Sequence, residues 1–147
     1  MTPYSIIFKK FLSLLKNDPI YAELDPAIAE DDMLDLLDAA IMDFEYPRVD
    51  LKDKDDTLMQ FNNELGFDEI QILAFLMSVW WLRRQINAVD LMSPGMTPQE
   101  FKTFSSANQL NAIDNALKMA EQKAMTLRLA YSRRDGNRSA LYKLGGD

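Results

Sequence analysis

The side chains best equipped for chemistry in this sequence are carboxylates, gathered in two stretches. In "DKDDTLMQFNNE", Asp53, Asp55 and Glu64 stand at the first, third and twelfth places of a calcium-loop register. A hard cation held in such a loop takes oxygen ligands, and the chain needs glycine at the sixth place to turn sharply. That place is Leu58, and the fifth is Thr57. A solvated acidic turn is therefore expected, with no metal. The second stretch holds Asp31, Asp32, Asp35 and Asp38. Carboxyl pairs about 5 Å or about 6.5–9.5 Å apart carry out glycoside hydrolysis, and neighbours on a helix reach such separations through geometry alone. These four coincide with the polar side of an amphipathic helix, so a solvated face is the expected reading.

Other chemistry is thinly supplied. Cysteine and histidine are both absent. That removes disulfides, thiol nucleophiles, imidazole metal ligands and the usual general base of a triad. The five glycines form no phosphate-cradling loop. The sequence predicts neither catalytic residues nor cofactor, and reads as a protein that is not an enzyme.

The tryptophan pair in "AFLMSVWWLRRQI" raises a different possibility, since adjacent aromatic rings can stack nucleic-acid bases. Such a platform needs interleaved basic residues, and none occurs before Arg83 and Arg84. Trp80 and Trp81 are instead expected in the core with Leu73 and Met77, each ring able to bury on the order of 200 Å². The two arginines are placed to tie the helix end to acidic segments, in ion pairs worth about 0–1 kcal/mol each when exposed.

These residues must be positioned by helices. The 147 residues, 48% hydrophobic and 27% charged, suit one globular domain. A first helix is expected with Thr2 as cap and Pro3 as its first residue, its apolar face made by Ile7, Phe8, Phe11, Leu12, Leu14 and Leu15. Lysines interrupt that face's surroundings rather than preceding it, unlike a signal peptide, and the apolar run falls short of the ~20 residues a bilayer demands. A second helix opens at Asp25–Pro26, carries Glu30, Asp31 and Asp32 early, turns Ile28, Leu34, Leu37, Ile41 and Phe44 inward, and ends before Pro47. Between Tyr46 and Gly66 the pattern is shorter. Val49–Leu51 and Thr57–Phe61 read as two short strands around a charged turn, or as a loop with a helical turn.

A third helix, about Asp68 to Asn87, is apolar nearly all round and so should be central. "TPQE" forms a capping box for a short helix through Phe101 and Phe104. The last helix, capped by Ser105 or Ser106, repeats Leu110, Ile113, Leu117, Ala120, Ala124, Leu127 and Tyr131 at alternating steps of three and four. That seam packs inside its own bundle or joins another subunit. Gly136 is the expected stop. The predicted fold is all-α: a small bundle of four to five helices spanning residues 1–135, with a possible β-hairpin or loop insertion around 46–66, then a flexible arm at 136–147.

Charge is unevenly spread. The net charge of −7 opposes wholesale wrapping of nucleic acid. Between Glu23 and Glu69 there are 16 acidic and three basic residues, against 7 acidic and 13 basic elsewhere. Such asymmetry points to different partners at different places.

The order "FEYPRVDL", a charged turn, "FNNELGFDEIQILAFLMSVWWLRRQI" and "MTPQEFKTFSSANQLNAIDNALKMAEQKAMTLRLAYS" resembles the head–tail connector (neck, or head-completion) proteins of tailed bacteriophages, from about Asp31 to Ser132. The resemblance implies an all-helical adaptor assembled as a ring, typically dodecameric, beneath the portal protein and around the channel for packaged DNA. Its partners would be the portal, other neck or tail-completion proteins and copies of itself, with DNA passing through unread and no membrane involved. It would act in the virion neck and meet its partners in the host cytoplasm. In that setting the arm would dock on the portal or on neighbouring subunits through Arg133, Arg134, Arg138, Leu141, Tyr142 and Leu144. Asp50, Asp53, Asp55 and Asp56 would face the channel or the next ring. Two other readings stand beside it: a helical regulatory or assembly module dimerising through the last helix, and a carboxylate-based cell-wall hydrolase.

Overall fold

The computed structural model describes residues 1–16, 30–92 and 107–145, with side chains described for 1–15, 30–86 and 111–134. Along the chain run β1 (Thr2–Pro3), α1 (Tyr4–Lys16), α2 (Glu30–Asp43), β2 (Lys54–Asp55), β3 (Gln60–Phe61), α3 (Phe67–Met92) and α4 (Ala107–Gly145). The fold is mostly helical, with four helices among the described residues and a small three-stranded sheet.

Helix α3 is the axis, packing against each of the other three helices. Its all-round apolar character is matched by burial on several sides: Ile72, Leu73, Ala74, Leu76, Met77, Val79, Trp81 and Leu82 are buried. Helix α1 closes one side with Tyr4, Ile7, Phe8, Phe11 and Leu15, and α2 another with Leu36, Leu37 and Ala40. Helix α4 brings Ile113, Ala116, Ala124 and Tyr131, with Leu117, Ala120 and Leu127 partly buried against the same core. Small alanines in this seam let the two longest helices approach closely. The seam therefore faces its own chain.

Helices α3 and α4 run antiparallel. Arg83 reaches Glu121 at 3.3 Å, and Arg134 reaches Asp68 at 2.7 Å. As one number rises the other falls, so the first residue of α3 lies opposite about residue 135 of α4.

Several details depart from sequence expectation. Thr2 and Pro3 do not open α1; they form an edge strand, with Thr2 paired to Phe61 and Pro3 to Gln60. Thr2 Oγ1 accepts from the Leu65 amide at 2.9 Å and donates to the Asn63 carbonyl at 3.3 Å. A hydroxyl expected to cap a helix instead fastens the chain start to the segment before α3. Val49–Leu51 is not a strand; the hairpin pairs Lys54 with Phe61 and Asp55 with Gln60, and the sheet order is β1-β3-β2. Helix α3 begins near the expected residue but continues to Met92. Gly136 does not stop α4, which runs on to Gly145. A glycine inside a helix costs about 1 kcal/mol relative to alanine, which weakens a helix without ending it. The Asp25–Pro26 start, Ile28, and the capping box with its short helix lie outside the described residues, as do Ser105, Ser106 and the side chain of Leu110.

Candidate functional site

The hairpin is locked to two helices by one polar cluster. The Tyr4 hydroxyl, on a fully buried ring, donates to Asp56 Oδ1 at 2.6 Å. Lys54 Nζ donates to the same oxygen at 2.7 Å and pairs with Asp38 of α2 at 3.2 Å. It also lies 5.9 Å from the centre of the Tyr4 ring. Burial, then the hydrogen bond to Asp56, pushes the Tyr4 phenol well above its ordinary range. Burial acts to lower the Lys54 ammonium, but hydrogen bonds to Asp56 and Asp38 outweigh it, so the net shift is upward. Hydrogen bonds from Lys54 and then Tyr4 hold the Asp56 carboxyl below the usual carboxylate range.

The remaining aspartates of the segment build its turns. Asp50 Oδ1 accepts from the Lys52 amide at 3.0 Å, and Asp53 Oδ1 from Asn62 Nδ2 at 2.9 Å. Asp55 Oδ1 accepts from the amides of Thr57 and Leu58. Such side-chain-to-backbone bonds are what Asp contributes to turns. Asp50, Asp53 and Asp56 are exposed and Asp55 is half-buried. Among the described residues, no group of three or more acidic side chains is placed to share a metal ion. Asp31, Asp32 and Asp35 lie exposed on α2.

A second polar junction holds the end of α2. Trp80 Nε1 donates to Asp43 Oδ2 at 2.7 Å, and Arg128 Nη1 donates to the Asp43 carbonyl at 3.2 Å. The guanidinium thus caps a helix C-terminus, where the backbone dipole favours a cation. Trp80 is therefore only half-buried core, with Arg83 4.9 Å above its ring, whereas Trp81 is buried. Of the two arginines expected to reach the acidic segments, Arg84 meets Asp32 at 4.0 Å, whereas Arg83 pairs with Glu121 of α4.

Beyond Asp43 the chain leaves α2 and meets α4. The Arg48 amide donates to the Tyr131 hydroxyl at 2.8 Å, Arg48 Nη2 donates to the Tyr131 carbonyl at 2.6 Å, and the guanidinium stacks 3.9 Å from the Tyr131 ring. Phe44 meets that ring edge-on at 5.4 Å. Sequence reasoning missed Tyr4, Arg48 and Lys54 as organising residues. The one available signal was a lone lysine between aspartates at 53 and 55.

Of the expected docking residues, Arg133 is exposed, while Arg134 is joined to Asp68 at the start of α3. The side chains of Arg138, Leu141, Tyr142 and Leu144 lie outside the described residues; their backbone belongs to α4. Two grooves bear on binding. One, of about 550 Å³, runs between α1, α3 and α4 and is lined by Leu14, Phe75, Trp81, Leu82, Met119 and Ala120 among others. Another, of about 660 Å³, lies between the end of α2 and the 47–52 loop, with Ile41, Met42, Phe44, Pro47 and Val49 in its walls.

No helix among the described residues is long and apolar enough to cross a membrane. No family model, curated protein or solved structure matches this chain.

Proposed function

We propose that this protein is a structural head–tail connector of a tailed-phage virion, forming a ring beneath the portal around the DNA channel. The observation that carries the reading is the length of α4. At 39 residues it outruns the 26-residue α3. Given the antiparallel register, residues 136–145 extend past the start of α3, about 15 Å of helix at 1.5 Å per residue. A helix that outruns the partner it packs against offers its end as a contact element, here one whose sequence carries Arg138, Leu141, Tyr142 and Leu144. Its target is the portal or a neighbouring subunit.

Charge supports the same reading. Exposed carboxylates of α2 and the hairpin stand against a basic tail, and opposite surfaces on one subunit favour ordered contacts between copies. Aspartates lining a channel would repel phosphates, letting duplex DNA pass. Ile113, Ala124 and Tyr131 of the α4 seam are buried against their own chain, which supports the seam's place inside the bundle.

Electron microscopy of the protein mixed with portal tests the proposal, with an added ring expected. Removing residues 136–147 should leave the helical circular-dichroism spectrum of the bundle intact and abolish that ring. Particles that keep their genome and join tails without this protein would end the proposal.

A further inference from the structure

We infer that the groove between the end of α2 and the 47–52 loop receives the final turns of α4 from a second copy of this chain; the inference rests on the connector reading. Folding leaves this surface unfinished. Met42, in the groove wall, is 84% exposed, and Tyr46, beside it in sequence, is 90% exposed. Tyr46 also holds a left-handed backbone, φ 56°, which costs a non-glycine residue roughly 1–2 kcal/mol. The ring is thus offered to solvent from a backbone conformation that glycine adopts more cheaply.

The occupant follows from charge and reach. Asp31, Asp35, Asp38 and Met42 succeed one another at steps of four, three and four, which places them along one side of α2 and ends an acidic stripe on an apolar residue. The tail of α4 has the complementary order, Arg133, Arg134 and Arg138 followed by Leu141, Tyr142 and Leu144. Arg134 is held by Asp68 and Asp38 by Lys54, so among the described side chains it is exposed Arg133 that answers exposed Asp31 and Asp35. The same chain's tail is out of reach. Arg48 lines the groove and is bonded to Tyr131, while Leu141 stands about 15 Å further along a continuous helix. A contact between two different faces propagates from copy to copy, closing into a ring where the rotation permits.

The cysteine-free chain allows a direct test. Met42→Cys and Leu141→Cys proteins, mixed at high concentration with a short bis-maleimide, should give mixed dimers well in excess of same-variant pairs. A chain carrying both changes should give a ladder of multimers. Equal coupling of Leu141→Cys to Ser13→Cys, on the exposed face of α1, would overturn the inference, as would no coupling at all. Tyr46→Gly provides an independent arm: thermal stability should hold or rise while the mixed dimer is lost, and an unchanged yield would refute the contact. Rings added to portal by Tyr46→Gly protein would leave the connector standing and remove only this interface. Coupling as expected, with no ring on portal from the unaltered protein, would remove the connector and keep the interface.

Discussion

A few polar side chains decide how the hairpin sits on the helices. Asp56 collects both the Tyr4 hydroxyl and the Lys54 ammonium, and Lys54 carries the link onward to Asp38. Tyr4→Phe keeps the buried ring and deletes one hydrogen bond to a charged acceptor; because Asp56 is exposed, a loss of about 1 kcal/mol in urea unfolding is expected. The pH dependence has two limbs. Asp56 is depressed in the folded state, so its contribution is present above the unfolded value near 3.9 and disappears as pH falls through the folded one. Tyr4 and Lys54 are raised, so theirs are complete below the unfolded values near 10 and decline as pH rises through the folded ones. Urea midpoints should therefore drop on both sides of a neutral plateau, with Tyr4→Phe showing a smaller alkaline decline than the parent. An identical alkaline limb in both proteins would contradict the role given to the phenol.

Helices α3 and α4 carry most of the architecture, and their fit depends on small residues. Ala124 is 1% exposed, inside the core that α3 and α4 share. Ala124→Leu should lower stability by about 1–3 kcal/mol through overpacking, measured by chemical denaturation. The end of α4 obeys different rules, because no α3 residue lies opposite it. Gly136→Pro removes a backbone donor and clashes with the preceding turn. It should cost helical signal equivalent to the final turns while leaving the melting temperature of the bundle unchanged. A lowered melting temperature would show that those turns contribute to the domain itself. Gly136→Ala should act oppositely, adding helical signal by about 1 kcal/mol of propensity.

As a whole the molecule is electrically divided, with an acidic stretch through α2 and the hairpin and a basic end on α4. Contacts between such surfaces are formed partly by exposed charges, and salt screens these over about 10 Å at 0.1 M. The cross-linking yield between the α2 groove and the α4 tail should therefore fall as sodium chloride is raised, while an apolar contact alone would be indifferent to it. Self-complementary but different faces also carry a hazard. If the rotation between copies did not close, the same contact would build filaments.

What the sequence determined unaided was local. Helical hydrogen bonds close within four residues, so apolar periodicity sufficed to place α1, the central α3 with Leu73 and Met77, and the seam of α4 with Ile113 and Leu117. Near residue 55 the sequence offered a hairpin or a loop, and placed its turn where the strand Lys54–Asp55 stands. Tertiary structure alone decided whatever joins distant positions. Thr2 became a strand because Phe61, nearly sixty residues on, offered it a partner. Arg48 met Tyr131, and Trp80 turned its indole nitrogen to Asp43, because packing brought α2, α3 and α4 to one point. Gly136 stayed helical because a propensity penalty of about 1 kcal/mol is too small to end a helix by itself. No spacing rule encodes such encounters, since their free energy comes from surfaces that exist only once the chain has folded.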